Sequence, residues 1–200
     1  MKKPAIVLCD DPFIACYEQV VTEIECLQLR ELARNQLKPA TIIGPSGLQV
    51  SNFRISDSTW FSHDSYEIVR QVSERMASII GKPLHHAEKL QIARYKVGGK
   101  FGEHLDCYDP LSKAGKHYID QNGQRLYTAL LYLNTVKEGG ETFFSELNVH
   151  VTPSEGTLLI FENCKKNTNE SNPLSRHGAR PVNEGEKWIA TLWFCEKPQY

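Results

Sequence analysis

Hydrophobic and polar positions change their rhythm near residue 89, and the change divides the chain in two. Before it, apolar residues recur at helical spacing in two places. Thr22-Glu23-Ile24-Glu25 is a Thr-x-x-Glu capping box, and it opens a helix through about Arg34 with Ile24, Leu27, Leu29 and Leu32 available for one face. A second helix is expected from Asp64, with Glu67 three residues on, to Ile80, where Gly81 and Pro83 stop it. Two short strands, Ala5 to Leu8 and Phe13 to Val21, precede the helices and are broken by Asp10-Asp11-Pro12. Lys38 to Ser58 reads as a polar connection punctuated by Gly44-Pro45-Ser46-Gly47.

After residue 89 the pattern is one of short strands. Leu90 to Tyr95, Phe101 to Asp106, Leu126 to Asn134, Thr142 to Ser145, Val149 to Thr152, Thr157 to Glu162, His177 to Val182 and Trp188 to Cys195 are the candidates. Gly98-Gly99, Gly139-Gly140, Pro153, Gly156 and Gly185 separate them. Such a succession after two helices predicts a mainly β fold, a double-stranded β-helix (jelly-roll) core with the N-terminal helices packed on one sheet. The expected organisation is a single domain over 1–200, with helical and strand support over 1–88 and the jelly-roll core over 89–196. Cys107 to Gln124 and Asn163 to Leu174, rich in polar residues, are expected to be mobile.

The last strand carries the sharpest information. Trp188, Ala190, Leu192 and Phe194 share one wholly apolar face, suited to packing against helices. Lys187, Ile189, Thr191 and Trp193 share the other and point into the barrel. A lysine directed into a barrel is costly unless an anion meets it.

Candidate chemistry follows from that lysine and from Gly102-Glu103-His104-Leu105-Asp106. On an extended strand His104 and Asp106 leave from the same face. Ser175-Arg176-His177-Gly178 offers a third ligand, His177, far enough downstream to lie on another strand. Two histidines and one carboxylate leave other metal positions open, as in non-haem Fe(II) oxygenases. The same three side chains would also suffice for a Zn2+ hydrolase or a metal-binding cupin-like protein. Lys187 separates these readings, because a hydrolase has no need of an anchor for an anionic co-substrate. His85-His86 reads as a solvated turn, and His63, His117 and His150 have no partners in sequence.

Composition adds exclusions. The 200 residues are 40% hydrophobic and 24% charged, ordinary globular values, with a formal net charge of −1. That balance gives no support for a nucleic-acid partner, and no apolar run is long enough to span a membrane. The six cysteines form no CxxC pair and read as reduced thiols in a cytoplasmic setting. Asn169-Glu170-Ser171 is a chance sequon on the same reading.

Taken together, several stretches resemble the Fe(II)/2-oxoglutarate-dependent dioxygenases and, within them, the prolyl 4-hydroxylase family. They are Leu90 to Gly99, the His104-Leu105-Asp106 triplet, Gly139 to Phe144, Arg176 to Val182, Gly185-Glu186-Lys187-Trp188 and Trp193. Arg54-Ile55-Ser56 is a weaker echo of the family's substrate loop. The resemblance implies that His104, Asp106 and His177 hold Fe(II), and that Lys187 pairs with the distal carboxylate of 2-oxoglutarate. It implies that Tyr95 lines that region, Thr128 lies near the co-substrate, and Arg54 and Trp193 meet the substrate. The implied reaction consumes O2 and 2-oxoglutarate, with ascorbate as reductant, releases succinate and CO2, and hydroxylates C4 of a proline in a peptide or protein. A 2-oxoglutarate oxygenase acting on another amino acid, small molecule or nucleobase is the alternative, the nucleobase being disfavoured by the charge. One departure stands out: many family members carry a histidine two positions after the tryptophan, where this chain has Cys195. Substrate selectivity is expected to be weaker or different for that reason.

Overall fold

The computed structural model describes residues 6–44 and 47–200. Ala5, and Pro45 and Ser46 of the expected turn, lie outside the described residues. The strands are β1 (Ile6–Asp10), β2 (Phe13–Tyr17), β3 (Lys38–Pro39), β4 (Thr41–Gly44), β5 (Gly47–Val50), β6 (Arg54–Ile55), β7 (Asp57–Phe61) and β8 (Leu90–Tyr95). They continue with β9 (Lys100–His104), β10 (Arg125–Tyr132), β11 (Glu138–Gly139), β12 (Thr142–Phe144), β13 (Val149–Val151) and β14 (Leu158–Glu162). The last are β15 (His177–Ala179), β16 (Val182–Glu184) and β17 (Lys187–Cys195). An eight-stranded sheet runs β1-β2-β14-β10-β17-β8-β7-β3, and a five-stranded sheet runs β13-β12-β15-β9-β6. All of these pairings are antiparallel, as in the expected jelly roll.

Helices α1 (Glu23–Arg34) and α2 (Glu67–Ile80) cover the outer face of the large sheet. The capping box of α1 forms as expected: Glu25 N–H donates to Thr22 Oγ1 at 3.2 Å and Thr22 N–H to Glu25 Oε2 at 2.8 Å. Its buried face agrees with the expectation in part: Leu29 is buried and Leu32 packs against the core, whereas Ile24 and Leu27 are exposed and Cys26 and Ala33 are buried instead. Helix α2 starts at Glu67 rather than Asp64; its N-cap is Tyr66, whose side chain makes no capping bond.

The parity of β17 holds. Trp188, Ala190, Leu192 and Phe194 join one apolar cluster with both helices, whereas Ile189 belongs to a second cluster between the sheets. Two polar segments are more ordered than their composition suggested. Lys38 to Ser58 contains β3 to β6 and part of β7. Cys107 to Gln124 contains α3 (Lys113–Asn122), whose first turn is closed by Gly115 N–H donating to Ser112 Oγ at 2.9 Å. Gly115 is required there, since a Cβ would fall 1.9 Å from the Asp109 carbonyl oxygen. The expected strand His177 to Val182 is two strands, β15 and β16, in different sheets.

Candidate metal centre and substrate cleft

Antiparallel pairing of β9 with β15 sets His104 directly opposite His177. Residues so placed project from the same sheet face, which here is the barrel interior. Asp106 follows just beyond the end of β9. The ligand atoms of His104, Asp106 and His177 all lie within 4.8 Å of one another, and no other such group of three converges among the described residues. His104 Nε2 is 3.3 Å from Asp106 Oδ1, and His177 Nε2 is 3.7 Å from Asp106 Oδ2.

Each imidazole is fixed by its other nitrogen. His104 Nδ1 lies 2.8 Å from the Gly102 carbonyl oxygen and His177 Nδ1 lies 2.9 Å from that of Ser175. A carbonyl only accepts, so Nδ1 carries a proton in each ring and Nε2 is the nitrogen turned inward, free to ligate. Phe101 stacks on His104 with centroids 3.7 Å apart, and Phe161 meets His177 edge-on at 4.6 Å. Burial pushes the His177 pKa down to about 4, so the ring is neutral near pH 7, as metal ligation requires. Burial alone would raise the Asp106 pKa, but the two imidazoles and Arg125 hold its carboxyl well below the usual range. Two imidazoles and a carboxylate are a donor set that fits Fe(II) or another divalent cation.

Thr128, expected near the co-substrate, touches Asp106 directly. Its hydroxyl donates to Asp106 Oδ2 at 2.7 Å and accepts from Asn163 Nδ2 at 2.9 Å. Thr128→Val keeps the shape and removes that donor. Metal affinity is expected to fall by roughly 10- to 100-fold, the usual effect of losing an outer-shell partner. Mn2+ titration of the folded variant checks this, and an unchanged affinity would remove Thr128 from the role.

Lys187 opens β17 opposite Tyr95 of β8. It is 1% exposed, and its ammonium donates to the Gly140 carbonyl at 2.7 Å, with Thr142 Oγ1 at 3.5 Å. Gly140 holds that carbonyl in place at φ +72°, a left-handed conformation that favours glycine. Tyr95 and Tyr132 present their rings to Nζ at 5.5 and 5.6 Å. Burial pushes the Lys187 pKa down to about 7, against a smaller opposing pull from Glu141. Neither close partner is an anion, so the group is set to receive one.

Lys187, Tyr95 and Thr128 line one inner cavity of about 40 Å³ together with His104, Asp106 and His177. Arg54, Gln91, Phe101 and Trp193 border both this cavity and an outer cleft of about 840 Å³. Arg54 is buried rather than a surface charge: it donates to Gln91 Oε1 at 2.9 Å and to Ser56 Oγ at 3.1 Å, and lies over the Phe101 ring. Trp193 is 5.7 Å from the more exposed Trp60, centroid to centroid, across the cleft wall. His63, His85, His86, His117 and His150 line neither cavity.

Two cleft residues escaped the sequence reading. Arg125 forms a part-buried bidentate pair with Glu88, with NH2 to Oε2 at 2.7 Å, and its guanidinium lies 4.3 Å from the Trp193 ring centroid and 4.7 Å from that of Tyr108. It thereby braces the tryptophan. Cys195, at the departure noted above, is buried with its thiol directed at Glu88 Oε1, 3.6 Å away. No short-range motif links Glu88 to Arg125, since the pair exists only once β10 is in place.

Comparison with known proteins gives a consistent result. The sequence profile described as the 2OG-Fe(II) oxygenase superfamily matches residues 90–195. A protein of Acanthamoeba polyphaga mimivirus named "Putative prolyl 4-hydroxylase" is 33% identical over 190 residues, covering 94% of this chain and 77% of that protein. Human prolyl 4-hydroxylase subunit alpha-1 is 32% identical over 197 residues, covering 95% of this chain but 36% of the subunit, so the chain spans about a third of that relative. Among solved structures, the viral collagen prolyl hydroxylase of Paramecium Bursaria Chlorella virus-1, in its 2OG complex, superposes with a TM-score of 0.72 at 28% identity. That match covers 92% of this chain and 97% of the viral chain.

Proposed function

The chain belongs to the 2OG-Fe(II) oxygenase superfamily and, within it, to the prolyl 4-hydroxylases, and from that premise we propose that it hydroxylates C4 of prolyl residues in a peptide or protein. The observation that carries the reading is the inner cavity, where two imidazoles, a carboxylate and a buried lysine without an anionic hydrogen-bond partner converge beneath an aromatic cleft. In this reading His104, Asp106 and His177 hold Fe(II), and Lys187 meets the distal carboxylate of 2-oxoglutarate. Iron and 2-oxoglutarate, when bound, supply the activation of O2 that puts one oxygen atom into the C–H bond and the other into succinate, with loss of CO2.

The chain's own residues do the rest. Gly102 and Ser175 carbonyls orient the imidazoles, and Thr128 orients the carboxylate. Lys187 neutralises the far end of the co-substrate in a site closed to water, where a charge-assisted contact contributes about 1.5–3 kcal/mol. Trp193, braced by Arg125, offers an apolar wall to a pyrrolidine ring, and Arg54 holds the rim between cavity and cleft. A polyproline II segment suits such a cleft because its conformation is already set, which lowers the ordering entropy of binding. Cys195 stands where many relatives carry a histidine, so selectivity for flanking residues is weaker than, or different from, that of relatives that keep it. The free cysteines fit a reducing compartment, the cytoplasm.

The test is incubation with Fe(II), 2-oxoglutarate and ascorbate against poly-L-proline, Pro-Pro-Gly repeats and free proline. Peptidyl prolines are expected to gain one oxygen each, with matching succinate release. Oxidation of free proline or of a proline-free peptide, with every peptidyl proline untouched, would replace this reading with that of an oxygenase for another substrate.

A further inference from the structure

Cys107 and Cys164 are separated by 57 positions, yet their Sγ atoms lie 3.4 Å apart. Both thiols converge on the Arg125 carbonyl, at 3.6 and 3.5 Å, and Cys107 also donates to the Asn163 carbonyl at 3.2 Å. Cys107 is half-buried and lines the outer cleft, whereas Cys164 is buried behind it and bridges to Ser171. The arrangement gives one thiol access to a small oxidant and places the second in reach of the first. A disulfide is about 2.05 Å long, so closure asks for an approach of roughly 1.4 Å, shared between two side chains.

We propose that Cys107 and Cys164 are an oxidation site, closing to a disulfide with hydrogen peroxide as oxidant, and that closure displaces Asp106. The Cys107 thiol attacks the peroxide: an S–O bond forms, the O–O bond breaks, and a sulfenic acid and one water result. The Cys164 sulfur then attacks the sulfenic sulfur, the S–S bond forms, and the departing hydroxide takes the second thiol's proton as another water. Two thiols are oxidised and one peroxide is reduced to two waters.

The bridge reaches Asp106 along two paths. Cys107 is its covalent neighbour. Cys164 follows Asn163, whose side chain bonds Thr128, the donor to Asp106 Oδ2. Drawing Cys107 and Cys164 together therefore moves the carboxylate against its own hydrogen-bond partner. This second half rests on the reading of Asp106 as a metal ligand.

The experiment uses the full chain, reduced and metal-free, before and after hydrogen peroxide. Unreduced tryptic digests are weighed by mass spectrometry, and Mn2+ binding is titrated in parallel. The expected result is the Cys107 peptide joined to the Cys164 peptide with loss of two hydrogens, and a Mn2+ dissociation constant raised roughly tenfold or more. Dithiothreitol should reverse both. Cys164→Ser should show neither change, and Cys195→Ala should show both. The comparison of oxidised with reduced parent protein needs no variant, so a serine variant that misfolds does not remove the test. Higher oxides on Cys107 with no joined peptide, or a joined peptide with unchanged Mn2+ affinity, would overturn the proposal. Failure of the reduced protein to bind Mn2+ would overturn the metal-centre reading and the coupling with it, while the joined peptides still decide the bridge.

Discussion

Alanine at His104, Asp106 or His177 is expected to abolish 2-oxoglutarate decarboxylation while leaving the fold in place. Loss of an outer-shell partner alone weakens metal sites by roughly 10- to 100-fold, so loss of a ligand should exceed about 100-fold in metal affinity. The fold should survive because the pairing that sets His104 opposite His177 is a backbone feature, which alanine keeps. Asp106→Asn separates charge from packing: it keeps the shape and an acceptor for the Thr128 hydroxyl, but loses the negative charge that a cation would meet. Asparagine should therefore retain the thermal midpoint and still bind Mn2+ far more weakly than the parent. Decarboxylation above about one hundredth of the parent rate in any alanine variant would count against the ligand assignment.

Lys187→Met is expected to act in opposite directions on stability and on co-substrate affinity. The Lys187 pKa is pushed down to about 7 from an ordinary 10.5 by burial. Between those values the unfolded lysine carries a proton that the folded one lacks, so stability of the ligand-free protein rises with pH across that window. Below it both forms are protonated and the full penalty remains, on the order of several kcal/mol. Methionine removes that penalty and fills the space, so the ligand-free variant should melt higher than the parent at pH 7. Its KM for 2-oxoglutarate should rise roughly ten- to a hundredfold, the equivalent of one charge-assisted contact. Metal binding should change much less, and Lys187→Arg should rescue only in part, because the guanidinium is larger and forked. Binding of 2-oxoglutarate to the parent at a pH between 7 and 10.5 should also take up a proton, seen as a dependence of calorimetric heat on buffer ionisation enthalpy. Equal loss of metal and co-substrate affinity, with no proton uptake, would argue for a structural lysine.

What was legible in the sequence was what repeats locally. The period of two along β17 sorted its residues correctly between helix-facing and interior sides, because alternation survives any sheet geometry. The capping box of α1 was legible for the same reason, being contained in four residues. Its buried face was read only in part: Leu29 and Leu32 face the core, but hydrophobicity also favoured Ile24 and Leu27 where the helix buries Cys26 and Ala33. Helix α3 was hidden by polar composition and by Gly115, a poor helix former that is needed for contact rather than for propensity. His104, Asp106, His177 and Lys187 announced themselves by type and order. Their supports did not: Asn163 behind Thr128, Glu88 with Arg125, and Cys164 beside Cys107 meet only when distant strands pair.

Asp106 lies past the end of β9, on the segment that runs on through Tyr108 to α3, and so belongs at once to the inner cavity and to the cleft wall. Tyr108 is stacked on Tyr118 of α3 and doubly bonded to Gln124, by its N–H at 2.7 Å and its carbonyl at 2.9 Å. These contacts tie the wall to α3 and to Gln124 just before β10, with a carboxylate at its other end. Any occupant that shifts the wall shifts the carboxylate, and thermodynamic reciprocity then applies: the factor by which a seated peptide changes cation affinity equals the factor by which the cation changes peptide affinity. Such a coupling is the same whichever partner binds first, and its physical carrier would be one short run of backbone between a strand end and a helix.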